Sequence, residues 1–194
     1  MIQSEDITGI ILVGGKSSRM GVDKGLLYYK GEHFISTIIN AVKPLVKEII
    51  LVGNNPAYDR FDLKRVEDLM PDSGPLAAVY TGLTHSNTQH NLVLSCDVPL
   101  ITPFLLEILL KEWTPGDEVV QFSTNGKKTP LVALYQKSIQ DLLDEQIKAG
   151  ERKLSTVVEM CKTKSLAVGK ALASQLKNIN TPDEFRKLDH EIEY

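Results

Sequence analysis

Blocks of apolar residues punctuate this chain at regular intervals. "ITGIILV" (7–13) is a continuous apolar run rich in β-branched residues, the pattern of a strand buried on both faces. "FISTIINAVKPLV" (34–46) places Ile35, Ile38, Ile39, Val42 and Leu45 at helical spacing, and "EIILVGNN" (48–55) is a second buried strand ending in turn residues. A short strand around "KRVED" (64–68) precedes a helix over "GPLAAVYTGLTHS" (74–86), with Pro75 in its first turn. "NLVLSCD" (91–97) is another buried strand, and either Thr102 or Asp97 starts the next helix, which carries Leu105, Leu106, Leu109 and Leu110. Further on, "EVVQFS" and "PLVALY" read as strands, "KSIQDLLDEQIKAG" as a helix closed by Gly150, and "TPDEFRKLDHEI" as a last helix.

Strands alternating with helices imply βαβ units and a mainly parallel sheet covered on both sides. The expected fold is a Rossmann-like three-layer α/β/α domain spanning 1–194, without a linker or internal repeat. Ligands of such sheets bind outside the carboxyl ends of the strands. That directs attention to 14–24, 53–55, 68–75 and 96–99.

Composition narrows the class. No apolar run reaches the roughly 18–20 residues that span a bilayer, and "MIQSEDITG" lacks the pattern of a secretory signal. Two distant cysteines, Cys96 and Cys161, form neither a disulfide framework nor a zinc site, so the expected compartment is the cytoplasm. A net charge of −3 argues against nucleic-acid binding, and Lys127-Lys128 beside Gly126 read as an exposed turn. His33, His85, His90 and His190 have no ligand spacing.

Candidate chemistry centres on "ILVGGKSSRMGVDKGLL" (11–27). A P-loop would need glycine at position 10, which is Ile10; the dinucleotide fingerprint fails because position 16 is Lys16; no Gly-x-Ser-x-Gly elbow occurs. Even so, Gly14 and Gly15 let backbone approach a ligand closely, and Lys16, Arg19 and Lys24 bring three cations into ten residues. An anionic ligand such as a phosphate chain suits the loop; a tight turn with solvated cations is the structural alternative. Asp97, at the end of a buried strand, is placed to hold Mg²⁺ with substrate phosphates, or else to cap a helix.

These residues carry a resemblance. "LVGGKSSRMGVDKGLL", "EDLMPDSGPLAA" (67–78), "SCDVPLI" (95–101), "PLVALY" (130–135), "AGERKL" (149–154) and "NINTPDE" (178–184) resemble, in order and over nearly the whole chain, the molybdenum cofactor guanylyltransferases. The resemblance implies Mg²⁺-dependent transfer of GMP from GTP to the terminal phosphate of molybdenum-molybdopterin, releasing pyrophosphate. It implies a nucleotide-binding half at about 1–100 and a pterin half at about 101–194. By that reading Leu12, Val13, Gly14 and Gly15 cradle the nucleotide, Arg19 and Lys24 neutralise phosphates, and Asp97 holds the metal. Asp68 contacts the nucleotide, Gly74 keeps the cleft open, and Arg152 or Lys153 with Asn178 and Asn180 meets the pterin. Transient contact with other molybdenum-cofactor proteins is implied by the family only.

Local readings compete. Asp68 suits a turn cap, Arg152 and Lys153 a solvated helix start, the two asparagines a loop, and Thr181 stands at capping-box spacing from Glu184. Cys96 reads as a small buried residue. The chain departs from the family in having Val13 where alanine is usual. It also has Val52 and Gly53 where many members carry asparagine; Asn54 and Asn55 follow, and no role is carried over to them. Rival functions are CMP transfer to molybdopterin, which predicts tighter binding of CTP, and sugar-1-phosphate nucleotidyltransfer, in which sugar phosphates trigger pyrophosphate release. A nucleotide-binding regulator or scaffold would bind without forming product.

Overall fold

The run at 7–13 forms the middle of the parallel part of the sheet. The computed structural model describes residues 2–14, 23–70 and 73–190. In chain order these form β1 (Ile7–Leu12), a small hairpin of β2 (Tyr28–Tyr29) and β3 (Glu32–His33), α1 (Phe34–Val42), β4 (Glu48–Val52), β5 (Lys64–Val66), α2 (Gly74–His85) and β6 (His90–Ser95). There follow α3 (Pro103–Glu112), β7 (Val119–Thr124), β8 (Lys127–Gln136), α4 (Gln140–Lys148), α5 (Leu154–Val158), β9 (Thr163–Ala167), α6 (Lys170–Ala173) and α7 (Pro182–His190). None of the described helices is long and apolar enough to cross a membrane.

The main sheet has the order β5-β4-β1-β6-β8-β7-β9. β8 runs antiparallel to both neighbours, and all other pairings are parallel. Side chains of β1 alternate between two cores. Ile7 and Ile11 pack with Ile35 and Ile38 of α1 and Leu105 of α3. Ile10 and Leu12 pack on the other face with Val79 and Leu83 of α2 and Leu143 of α4. This is the expected three-layer arrangement, and each fully buried isoleucine stabilises it by about 1.5–3 kcal/mol.

Several boundaries differ from the sequence expectation for identifiable reasons. α1 ends at Val42 and tightens into a 3₁₀ turn over Lys43–Leu45, where Pro44 has no N–H to extend the ladder. Thr102 caps α3, accepting from Leu105 N at 3.4 Å, so Asp97 is not a helix cap. Lys127 and Lys128 are not turn residues. They open β8, and the turn is Asn125–Gly126, both at positive φ (51° and 78°), as a tight hairpin requires. β8 is also longer than the "PLVALY" that the pattern marks.

Candidate functional site

The carboxyl ends of β1, β4, β5 and β6 open onto one cleft of about 870 Å³. Leu12, Val13, Gly14, Lys24, Asp68, Gly74 and Asp97 all line it, so these sequence-expected residues are brought together. Gly15, Lys16 and Arg19 lie outside the described residues. Asp23 and Pro75, which fall within the strand-end segments 14–24 and 68–75 but have no ligand role in the sequence pattern, line it too, as do Asn54, Asn55 and, just outside those segments, Ser95.

The backbone shapes the walls. Val13 N donates to Val52 O at 2.9 Å, so Val13 supplies a wall and not a free donor. A Cβ on Gly53 would sit 2.0 Å from Val13 O, which explains why β4 leaves the sheet through glycine beside this wall. Gly74 adopts φ +75°, and a Cβ there would lie 3.2 Å from Arg152 O. Glycine thus permits both the backbone turn into α2 and the approach of the Arg152 segment to the rim.

Lys24 and Asp97 form the polar centre. Lys24 Nζ stands 3.5 Å from Asp97 Oδ2, with only 20% and 14% of the two side chains exposed. Asp97 Oδ1 accepts from Ser95 Oγ and from Asn178 Nδ2, the latter at 2.9 Å. Lys24 Nζ also donates to Asn180 Oδ1, and Ile179 N donates to Asp97 O at 2.8 Å. The segment 178–180 therefore closes over the Lys24–Asp97 pair. It is held in turn by a capping box at α7: Glu184 Oε2 accepts from Asn180 N (2.7 Å) and Thr181 N (3.0 Å), and Thr181 Oγ1 accepts from Glu184 N (3.2 Å).

Asp68 caps its own turn while lining the cleft. Its Oδ1 accepts from Met70 N (3.0 Å) and Thr81 Oγ1 (3.2 Å), and its N donates to Asn54 Oδ1 at 2.8 Å. The Arg152 guanidinium turns to the carbonyls of Glu151 (2.8 Å) and Ile147 (3.3 Å) at the end of α4. Lys153 is exposed, with its backbone N donating to Glu151 Oε1 at 2.8 Å. Neither side chain lines the cleft among the described residues.

Beneath Lys24, Asp23 accepts from Gly25 N (3.2 Å) and Tyr58 OH on Oδ1, and from Asn55 Nδ2 (3.0 Å) on Oδ2. Burial, reinforced by Cys96 and the Asp23 carboxylate, raises the Tyr58 phenol above its usual range and keeps it a donor. Burial, then the charges of Asp97 and Asp23, pushes the Cys96 thiol up to about 12, so it is no nucleophile at neutral pH. No cluster of three or more His, Cys, Asp or Glu suited to a metal occurs among the described residues. A single anchored carboxylate fits a hard cation whose other ligands are water and phosphate oxygen, as for Mg²⁺.

The comparisons agree with this architecture. Residues 9–166 match the model of the MobA-like NTP transferase domain. The chain is 37% identical to the "Probable molybdenum cofactor guanylyltransferase" of Flavobacterium johnsoniae, covering 95% of this chain and 97% of that one. It is 34% identical to the molybdenum cofactor guanylyltransferase of Serratia proteamaculans, over 93% of this chain and 92% of that one. Its fold superposes on molybdopterin-guanine dinucleotide biosynthesis protein A from Archaeoglobus fulgidus with a TM-score of 0.81 at 24% identity, covering 95% and 97% of the two chains.

Proposed function

Because the chain belongs to the MobA-like NTP transferase family, we propose that it is a nucleotidyltransferase moving GMP from GTP to the terminal phosphate of molybdenum-molybdopterin. A phosphate oxygen of the pterin forms a bond to the α-phosphorus as the bond from that phosphorus to the α,β-bridging oxygen breaks. The products are the guanine dinucleotide cofactor and pyrophosphate. The names of the relatives favour this over CMP or sugar-1-phosphate chemistry. The observation that carries the reading in this chain is the Lys24–Asp97 pair, 3.5 Å apart at the strand ends.

The nucleophile is already an anion, so the site needs charge neutralisation and alignment more than a base. This agrees with the buried, protonated Cys96 thiol and with the lack of a histidine among the described lining residues. In this reading Leu12, Val13 and Gly14 wall the nucleotide, together with Asp68 and Gly74. Lys24, with Arg19, neutralises the phosphate chain. Asn178 and Asn180 orient the catalytic pair and face the incoming pterin phosphate, with Arg152 or Lys153 at the rim. Asp97 would hold Mg²⁺, which when bound offsets the negative charge of the phosphates. GTP, molybdopterin and two uncrosslinked cysteines suit a cytoplasmic enzyme.

The test is titration calorimetry with GTP, CTP, ATP and UTP, each with and without Mg²⁺, followed by pyrophosphate release on addition of molybdenum-molybdopterin. GTP preference and turnover are expected, with Asp97→Asn lowering kcat by about 10²–10³-fold. Preference for CTP would transfer the chemistry to CMP. GTP binding without product, or an unchanged D97N rate, would overturn the mechanism.

A further inference from the structure

We infer that Tyr58 is a positioning residue for Lys24: its hydroxyl rises from the core beneath Gly25, anchors Asp23, and thereby sets the lysine against Asp97. The inference rests on the transferase reading and extends it to a buried residue that is not among the residues lining the cleft.

A lysine held at one point is an entropic problem. Its stem is flexible, and fixing it costs rotamer freedom. Contacts at the ammonium, to Asp97 and Asn180, constrain only the far end. The near end must be fixed through the backbone, and Asp23 does this. Both its carboxylate oxygens are engaged, by Gly25 N and Tyr58 OH on one and by Asn55 Nδ2 on the other. The carboxylate thus straddles the Lys24 peptide and ties it to the turn Pro56–Phe61, which follows β4.

Tyr58 is fully buried, and its ring packs in the core with Val13 and Cys96. For packing alone phenylalanine would serve; the hydroxyl is explained by its carboxylate partner. The glycine after the lysine supplies an independent observation. A Cβ on Gly25 would lie 2.4 Å from the Tyr58 hydroxyl and 3.2 Å from Cys96 Cβ. Backbone, phenol and the end of β6 therefore meet without room for any side chain. The hydroxyl is the floor on which the Lys24 turn rests.

The experiment compares wild type, Tyr58→Phe, Lys24→Met and the double variant in pyrophosphate release from GTP with molybdenum-molybdopterin and Mg²⁺. Crystal structures of wild type and Y58F accompany the kinetics. Y58F should fold, lower kcat about tenfold, and leave the KM for the pterin within about twofold. Its Lys24 Nζ should move beyond 4 Å from Asp97 Oδ2, against 3.5 Å here. Because Tyr58 acts through Lys24, the double variant should be no slower than K24M alone. A Y58F enzyme with wild-type kcat, a lysine still paired with Asp97, or losses that multiply in the double variant would each overturn the inference. Should Y58F fail to fold, Asp23→Asn is the second variant; it leaves an amide where Asn55 Nδ2 needs an acceptor and must displace Lys24 in the same way. If the wild type releases no pyrophosphate, the transferase reading falls, while the position of Lys24 in the variant crystal still decides this inference.

Discussion

Replacing Glu184 with alanine separates what α7 does for stability from what it does for the cleft. The variant removes an acceptor of two backbone N–H groups, those of Asn180 at 2.7 Å and Thr181 at 3.0 Å. It leaves Thr181 as the single remaining cap. Loss of half a capping box costs about 1 kcal/mol, which for a chain of this length lowers Tm by about 2–4 °C. Activity should fall further than that predicts. At 25 °C a protein of ordinary stability remains folded after such a loss, so any change in kcat reports the site itself. Without Glu184, Asn180 meets Lys24 from a frayed turn, and we expect kcat to drop about three- to tenfold. Glu184→Gln retains an acceptor and should recover most of the rate. The N–H of Asn180, foremost, holds the Glu184 carboxyl below the usual carboxylate range. Its stabilising effect is therefore present above the unfolded value of about 4.3 and is lost as pH falls through the lower folded value. The advantage of glutamate over glutamine should vanish over that acid window. Thermal melts and pyrophosphate release at 25 °C provide the data. An E184A protein with lowered Tm and unchanged kcat would refute the link from cap to cleft.

Three further outcomes follow from the same geometry. Gly53→Ala places a Cβ 2.0 Å from the Val13 carbonyl; backbone must shift, at a cost of about 3 kcal/mol or more in urea titration, and a loss below about 1 kcal/mol would contradict the packing. Burial lowers the His90 pKa despite the opposing influence of Asp6, so the contribution of His90 is complete above the unfolded value of about 6.5 and declines as pH falls toward the folded one. Tm should therefore drop less between pH 7 and 5.5 in His90→Phe than in wild type, and equal slopes would exclude the effect. Burial pushes Cys96 up to about 12 and Cys161 up to about 11. Both should resist a thiol reagent at pH 8, with half-buried Cys161 labelled first; rapid labelling of Cys96 in the folded protein would show the cleft floor to be open.

How much of this the residues announce depends on distance along the chain. β1, β4 and β6 are legible because strands buried on both faces must be apolar throughout; the carboxyl end of β6 locates Asp97, and that of the short β5 locates Asp68 and Gly74. Direction is harder to read. Nothing in "PLVALY" says that β8 runs against its neighbours, although Asn125–Gly126 offered the hairpin signal. β9 pairs with β7 as an edge strand of mixed burial, and "TKSLA" has too few apolar positions to stand out. In the site, an aspartate two residues before Gly25 hinted at the local turn around Lys24. The contribution of Tyr58, 35 positions from Asp23, has no local signature. The choice between Thr102 and Asp97 as helix cap likewise required the fold, since both residue types serve that position.

The closure of segment 178–180 over the cleft also has a consequence for the order of assembly. Asn178 lies 81 positions from Asp97, and Asn180 lies 156 positions from Lys24. Contacts that close such long loops are entropically the slowest to be rewarded during folding. β1, β4 and β6 can pair before α7 docks, giving an intermediate with a formed sheet and an open, unclamped lysine. Recovery of transferase activity on refolding should then lag behind recovery of secondary structure, making catalysis the last event of folding and its most sensitive reporter.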